Sequence, residues 1–300
     1  MRYFGNDIKL FVNNLQVSYT DEGQDESPVI IFIHGFPLNK SMWNKQVDAL
    51  KTSYRVISYD VRGHGDSDCG VEQFSMDLFT SDLIKLMDLL KIEKASLCGL
   101  SMGGYIALNA IENYPERFEA LVLSDTQCIA DPPLVKQKRL NTIDMIHASG
   151  LEKYVEDSLK SLFSPDFFAT QKEEVQVVRE MILNTPKESI ARTLLALLSR
   201  EETCKKMVDI NVPVLFLVGE EDQITPPKAS EHMQHKTKDS AIHVLNHAGH
   251  LSNLEKPDEF NEQLKIFFAE IYNEPRVSKP NRSNSILNQL RSMLNIILPI

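Results

Sequence analysis

The 300-residue sequence has little tryptophan, few cysteines and a deficit of positive charge. Lysine and arginine together number 32 against 42 aspartates and glutamates, which gives a formal net charge of -10 at pH 7. As a whole, an acidic chain lacks the basic surface that nucleic acid or anionic lipid recruits, so nucleic acid is not an expected partner. No stretch contains the roughly 18 consecutive apolar residues of a membrane span, and Met1 to Leu10 are too polar for a signal peptide. We therefore expect a cytoplasmic protein without a transmembrane segment.

The four cysteines, Cys69, Cys98, Cys128 and Cys204, are widely and irregularly spaced. Their spacing matches neither a disulfide framework nor the Cys-x-x-Cys pattern of a metal or redox site. We therefore expect all of them to be free thiols.

Hydrophobic residues make up 42% of the chain, which is enough for a large core. Short β-branched runs alternate with helical patterns through both ends of the chain, and this alternation is typical of an α/β fold with a mostly parallel sheet. Two runs, 29–33 and 214–218, are continuously apolar, as expected of central strands buried on both faces. The predicted strands are Lys9–Val12, Leu15–Thr20, Val29–His34, Arg55–Asp60, Ala95–Leu100, Ala120–Ser124, Val214–Val218 and Ala241–Leu245.

Apolar residues recur at helical spacing in Ser75–Lys91 and Asp258–Tyr272, which predicts two helices that cover the sheet. The alternation stops between about Thr126 and Arg200, where several helical patterns follow one another without a convincing strand. Prolines at 132, 133, 165 and 186 divide this stretch into about four helices. We interpret residues 126–200 as a helical lid insertion, and residues 1–125 and 201–272 as the core domain.

The sequence GLSMGG at 99–104 lies directly after a predicted strand and directly before a helical pattern. This is a G-x-S-x-G motif in the strand–turn–helix context that it requires. A serine on such a sharp turn needs small neighbours, and Gly99 and Gly103 supply the room. The N-terminal end of the following helix would direct its N–H groups toward an oxyanion. Ser101 is therefore the candidate nucleophile.

Two further motifs agree with the serine turn in order and spacing. HGFP at 34–37 follows one predicted strand, and DVRGHGDS at 60–67 follows the next. Together the three motifs resemble those of the α/β-hydrolase family, which implies an eight-stranded, mostly parallel sheet flanked by helices. The resemblance also implies that the backbone N–H groups of Phe36 and Met102 form the oxyanion hole.

A nucleophilic serine needs a base, and the base needs a carboxylate to orient it. In this fold the acid follows the serine along the chain and the histidine comes last. The sequence GEEDQITPP after the predicted strand 214–218 is similar to the family turn that holds the acid, so Asp222 is the predicted acid. Glu220 and Glu221 are nearby rivals expected to face solvent, and Asp125 is an alternative position that some relatives use.

The sequence NHAGH at 246–250 follows the last predicted strand. The family's catalytic histidine occupies the last position of this pattern, so the predicted base is His250 rather than His247. His34 and His64 are expected to brace their turns. The spacing of the histidines at 243, 247 and 250 also suits metal ligands, but no carboxylate or cysteine completes a plausible site. We expect neither a metal nor a cofactor.

Among family members, the motifs look most like those of small-substrate carboxylesterases and enol-lactone hydrolases. This resemblance implies that the chain hydrolyses a small ester or lactone through an acyl-enzyme intermediate. A serine at position 101 argues against dehalogenases and epoxide hydrolases, which carry an aspartate there. Two alternatives stay open from the sequence: a hydrolase of carbon–carbon bonds in β-diketone-like substrates, and a ligand receptor on the same scaffold.

The last 28 residues, 273–300, extend past the region that the resemblance explains. A polar linker with two prolines is followed by apolar residues at helical spacing between Ile286 and Ile297, which predicts an amphipathic helix. Because an exposed apolar stripe favours association, we expect this helix to cover the protein's own body, a second subunit of a homo-oligomer, or a membrane surface.

Overall fold

The computed structural model describes residues 5–273, and within this range eight strands form one sheet. The strands are β1 (Gly5–Val12), β2 (Leu15–Glu22), β3 (Val29–Ile33), β4 (Arg55–Tyr59), β5 (Ala95–Leu100), β6 (Phe118–Ser124), β7 (Val214–Gly219) and β8 (Ser240–Leu245). The helices are α1 (Asn44–Leu50), α2 (Met76–Leu89), α3 (Met102–Asn113), α4 (Pro133–Ser149), α5 (Glu152–Leu162), α6 (Pro165–Thr170), α7 (Lys172–Asn184), α8 (Lys187–Ser199), α9 (Pro227–Gln234), α10 (Ser252–Glu255) and α11 (Pro257–Asn273).

The strand order is β1-β2-β4-β3-β5-β6-β7-β8. β2 pairs antiparallel with β1 and with β4, and the other neighbouring pairs are parallel. Every predicted strand is present, although β1 begins at Gly5 rather than at Lys9. Because β3 and β5 to β8 run in the same direction, the loops that follow them meet at one edge of the sheet. This edge is where open α/β sheets hold their ligands.

Both predicted covering helices are confirmed as α2 and α11. The hydroxyl of Ser75 accepts a hydrogen bond from the N–H of Leu78 and so caps α2. The buried apolar side chains form two separate clusters. Leu83 on α2 is fully buried in one cluster, and Phe268 on α11 is fully buried in the other. The sheet is therefore covered on both faces, which explains why β3 and β7 are apolar at nearly every position.

Five helices, α4 to α8, lie between β6 and β7, where the sequence predicted about four. The prolines mark helix starts as expected, since α4 begins at Pro133, α6 begins at Pro165 and α8 follows Pro186. An additional break falls at Gly150, which has a φ of 78° and ends α4. The division of the chain into a core and a separate lid at residues 126–200 stays a prediction.

The prediction of four free thiols is wrong for two of them. Cys128 and Cys204 form a disulfide, whereas Cys69 and Cys98 are free. The two bonded cysteines are 76 residues apart, so their spacing along the sequence does not reveal that the fold brings them together. Disulfides are rare in reducing compartments. The predicted cytoplasmic location implies a reducing environment, whereas this bond favours an oxidising one.

Among residues 5–273, none of the helices combines the length and the apolar character that crossing a membrane requires. The described residues end at Asn273, the last residue of α11, so the rest of the predicted linker and the predicted C-terminal amphipathic helix lie outside them.

Candidate active site

Ser101 occupies the sharp turn between β5 and α3, as the sequence predicted. Its φ of 54° and ψ of -112° place it in a region of backbone space that non-glycine residues rarely adopt. The turn is fixed by its neighbours, because the N–H of Ser101 donates to the carbonyl of Ser124 (2.9 Å) and the hydroxyl of Thr126 donates to the carbonyl of Ser101 (2.8 Å). Backbone strain held in place in this way is common at functional sites.

The two glycines of the motif allow close contacts that no side chain would permit. A Cβ atom on Gly99 would lie 2.3 Å from the carbonyl oxygen of Gly103, and one on Gly103 would lie 2.1 Å from the carbonyl oxygen of Ile33. These contacts bring the start of α3 against the end of β3 and the loop that follows it. Ser101 is thereby placed next to the predicted oxyanion residues.

Phe36 and Met102, whose backbone N–H groups are the predicted oxyanion donors, line the same cavity as Ser101 and His250. Met102 is the first residue of α3, so its N–H has no acceptor within the helix. Phe36 lies in the loop after β3. His34 braces this loop, because Nε2 of His34 accepts a hydrogen bond from the N–H of Val61 (2.9 Å). Burial is the main cause that lowers the pKa of His34 to about 4, which favours the neutral ring.

His64 is fully buried as well, and burial is the main cause that lowers its pKa to about 3. Its Nδ1 lies 3.1 Å from the carbonyl oxygen of Arg62, within its own turn. Both histidines therefore contact backbone groups of the turn after β4.

Asp222 lies in the loop after β7 and is almost fully buried. Its Oδ1 accepts from the N–H groups of Ile224 (2.8 Å) and Thr225 (3.0 Å), and its Oδ2 accepts from the Thr225 hydroxyl (2.7 Å). Oδ2 also lies 2.8 Å from Nδ1 of His250. Burial alone would raise the pKa of Asp222, but the charge of His250 and these hydrogen bonds more than offset that effect and lower it.

His250 lies in the loop between β8 and α10 and lines the cavity while being almost fully buried. Burial, the largest single effect, acts to lower its pKa, but the carboxylates of Asp222, Asp125 and Glu255 together outweigh burial and raise the pKa. Because Nδ1 donates to Asp222, Nε2 is the ring nitrogen that can accept a proton. The structure thus joins the predicted acid and base directly and places the base in the cavity of Ser101.

The rival residues lie elsewhere. The His247 side chain is 79% exposed and lies 3.6 Å from Glu221, and the N–H of His247 donates to Glu220 (3.0 Å). None of these three is among the residues that line the cavity. Their position agrees with the expectation that Glu220 and Glu221 face outward.

Asp125, the alternative acid, is fully buried just after β6 but does not contact the His250 ring. Its Oδ1 accepts from the N–H of Gly219 (2.9 Å), and its Oδ2 accepts from the hydroxyls of Ser124 and Ser252. It therefore ties the ends of β6 and β7 to the first residue of α10.

The cavity above Ser101 has a volume of about 310 Å³ and is closed largely by the inserted helices. Its lining includes apolar side chains, among them Leu194, Leu197 and Ile224. It also includes a set of polar side chains on α4 and α5 that we call the polar wall: Lys138, Arg139, Thr142, Tyr154, Asp157, Ser158 and Ser161. The sequence did not predict this lining, because contacts between α4, α5 and the core depend on the packing of the helices.

Arg139 is the most enclosed cation of the polar wall, with a side chain that is 22% exposed. Its Nε bonds to the buried carboxylate of Asp131, which also lies 3.8 Å from Arg200. One buried carboxylate thus faces two guanidinium groups. Asp157, the acidic residue of this wall, lies 3.3 Å from Lys153. Arg139 is therefore an enclosed cation of the polar wall, paired through Nε with a carboxylate that lies outside the cavity lining.

A larger cavity of about 410 Å³ lies between the end of α3 and the segment before β7. It is lined mainly by apolar residues such as Leu108, Ile111 and Met207, and by none of the candidate catalytic residues.

The chain belongs to the α/β-hydrolase family, because residues 28–257 match the family model for the alpha/beta hydrolase fold. Two similar relatives are 3-oxoadipate enol-lactonases 1 and 2 of Acinetobacter baylyi. Enol-lactonase 1 is 30% identical over 250 residues, with 83% of this chain and 91% of the relative covered. Enol-lactonase 2 is 28% identical over 256 residues, with 85% of this chain and 94% of the relative covered.

Solved structures of similar proteins agree with the fold. A thermophilic esterase from Thermogutta terrifontis has a TM-score of 0.85 at 28% identity, covering 89% of this chain and 100% of that protein. The enol-lactonase from Burkholderia xenovorans has a TM-score of 0.82 at 27% identity, covering 87% and 100%. The predicted α/β-hydrolase fold with an eight-stranded, mostly parallel sheet is confirmed.

Proposed function

We propose that this protein hydrolyses a small carboxylic ester or lactone, with Ser101 as nucleophile, His250 as base and Asp222 as the acid that orients the base. The observation that carries the proposal is the 2.8 Å contact between Asp222 and His250 beside a cavity that Ser101 also lines. The chain is a hydrolase acting on ester bonds, in keeping with its enol-lactonase and esterase relatives.

In the first half of the reaction, Nε2 of His250 takes the proton of the Ser101 hydroxyl while Oγ attacks the carbonyl carbon. Asp222 holds the ring in the required tautomer and stabilises the imidazolium that forms. The N–H groups of Phe36 and Met102 would donate to the oxyanion of the tetrahedral intermediate. When the intermediate collapses, His250 returns the proton to the departing alcohol oxygen.

In the second half, water attacks the acyl-enzyme and His250 acts again as the base. The second tetrahedral intermediate expels Ser101, which recovers its proton from the imidazolium. For a lactone, the alcohol and the acid leave as one molecule. Besides the substrate and one water molecule, these steps use only groups that the chain itself supplies.

The cavity supports a small substrate with a polar end. Its volume of about 310 Å³ lies at the lower end of the range for small-molecule sites, roughly 300–1,000 Å³. A guanidinium has five N–H donors, and the contact of Arg139 with Asp131 uses Nε, so the terminal nitrogens can donate to a bound group. A carboxylate or another strong acceptor on the substrate would match this wall.

The test has two parts and uses the full chain. A fluorophosphonate probe should label the wild type and fail to label Ser101→Ala. A panel of p-nitrophenyl esters of increasing length, several lactones and one β-diketone should then show turnover of the esters or lactones. Preferential cleavage of the β-diketone would favour the carbon–carbon bond hydrolase instead, and a folded protein without labelling would favour a receptor.

A further inference from the structure

The residues on both sides of His250 are joined to the junction between α5 and α6. The N–H of Leu251 donates directly to the carbonyl of Leu162 (3.0 Å). The N–H of Gly249 donates to Oε1 of Glu255 (3.0 Å). Glu255 in turn accepts from the hydroxyl of Ser164 (2.6 Å) and from its N–H (3.2 Å). One carboxylate thus connects the loop of His250 with the inserted helices.

The same junction packs tightly against this loop. A Cβ atom on Gly249 would lie 2.4 Å from the nitrogen of Ser164 and 2.6 Å from the carbonyl carbon of Phe163. The loop therefore has no room to shift toward α6 without moving the junction with it.

The junction continues directly into the wall of the cavity. Ser161 and Leu162, at the end of α5, line the cavity together with His250. Leu162 is also the residue whose carbonyl accepts from Leu251. A displacement of this wall is therefore transmitted to the base through two short paths, the Leu162–Leu251 bond and the bonds of Glu255.

We propose that Glu255 is a positioning residue that fixes the His250 loop against the α5–α6 junction, so that the wall contacting the substrate and the base move as one unit. This inference rests on the proposed function. Glu255 itself lies outside the residues that line the cavity, so it acts on catalysis through Gly249 and His250. Removal of its bonds should misplace the base while leaving substrate contacts in place.

The charge of Glu255 adds a second, measurable effect. Three carboxylates act on His250, in decreasing order Asp222, Asp125 and Glu255, and all three raise its pKa. Glu221 is the acidic residue near Glu255, and Ser164 and Gly249 donate hydrogen bonds to Glu255. Replacement of Glu255 by a neutral side chain should therefore lower the pKa of His250.

The main variant is Glu255→Gln, which keeps the size of the side chain but removes the charge and turns one acceptor into a donor facing Gly249 or Ser164. We expect kcat on a p-nitrophenyl ester to fall about 10- to 100-fold with KM changed less than about threefold, as for a misplaced catalytic group. The rate of fluorophosphonate labelling should fall by a similar factor, and the His250 pKa, measured by NMR titration of the ring, should fall.

Two further variants make the test specific. Glu259→Gln is the matched control, since Glu259 on α11 pairs with His243 (2.7 Å) at the surface. It should keep kcat within about twofold, as expected of a surface substitution. Ser164→Ala removes one donor to Glu255 but keeps the carboxylate, so kcat should fall a few-fold and the His250 pKa should change less than in Glu255→Gln. Ser164→Ala also tests the proposal if Glu255→Gln does not fold.

A folded Glu255→Gln protein with wild-type kcat and an unchanged His250 pKa would overturn the proposal. If Glu255→Gln does not fold, a Ser164→Ala protein with wild-type kcat would overturn it. Failure of the proposed function is distinguishable, because a wild type without turnover or labelling would reject the esterase while the NMR titration still reports on Glu255. Under that outcome an unchanged His250 pKa in Glu255→Gln overturns the positioning role.

Discussion

Asp125 and Asp222 are two buried carboxylates beside His250, and only Asp222 contacts the imidazole ring. Burial first, and then the negative charge of Asp222, raise the pKa of Asp125 to about 7. Asp222 differs because His250 and the Thr225 bonds lower its pKa. Burial thus favours the protonated form of Asp125, whereas the contacts of Asp222 favour its charged form beside the His250 ring, and the two carboxylates are expected to have different roles.

The division of roles predicts different effects of the same substitution at the two sites. Asp222→Asn should lower kcat about 10⁴-fold, because the amide no longer holds His250 in the tautomer that accepts the serine proton. Asp125→Asn should lower kcat by less than about tenfold, because an amide can keep bonds to Gly219 and the serine hydroxyls. Steady-state ester hydrolysis by both folded variants measures this, and equal losses would contradict the assignment.

The raised pKa of Asp125 also predicts a pH-dependent stability. Its folded-state pKa of about 7 lies above the usual aspartate value of 3.8, so the folded protein binds this proton more tightly than the unfolded chain. The contribution is present below about pH 4 and is lost as the pH rises toward 7. Urea unfolding of wild type and Asp125→Asn at several pH values should show the wild type losing stability relative to the variant across this window. A constant difference would argue against the shift.

The position of His250 beside Asp222 predicts the pH profile of hydrolysis. The ring must be neutral to accept the Ser101 proton, so kcat/KM should rise with pH through one ionisation. Burial acts to lower the His250 pKa, but Asp222 and the more distant carboxylates together outweigh it, so the midpoint should lie above the usual 6.5. A midpoint below 6.5 would show that burial dominates instead.

The two histidines of the NHAGH segment should respond very differently to alanine. His250→Ala should lower kcat by roughly 10⁴-fold or more, because triad members act as a unit. His247→Ala should have little effect, because its side chain is mostly exposed and outside the cavity lining. Both variants are measured on the ester that the wild type turns over best. Loss of activity only in His247→Ala would overturn the choice of base.

Arg139 should determine the response to a charged substrate. On an ester whose acyl group ends in a carboxylate, Arg139→Gln should lower kcat/KM about 10- to 100-fold, the range for losing a hydrogen bond to a charged group. On the neutral ester of equal length the change should be less than about threefold. Lys136→Gln, on the same helix but absent from the cavity lining, is the control. Equal losses on both esters would show that Arg139 only maintains the wall.

Much of this arrangement is predictable from local sequence signals. The serine turn and the strands depend on short patterns, a glycine flanking a serine and an apolar run, whereas the choice of Asp222 and His250 depends on the resemblance of their loops to family motifs. The disulfide of Cys128 with Cys204 and the bonds of Glu255 depend instead on which distant segments meet in the folded chain. Nothing in their local spacing distinguishes them from an unpaired thiol or a surface carboxylate.

The disulfide also has a consequence for how the enzyme can diversify. Cys128 precedes α4 and Cys204 follows α8, and their Cα atoms are only 4.8 Å apart. The two ends of the five-helix segment are therefore held together beside the sheet. A helical segment of another length or lining would fit the same attachment points if its ends kept this separation. Because Leu162 and Ser164 bond to Leu251 and Glu255, we expect a new segment to need these bonds as well to hold the loop of His250 in place.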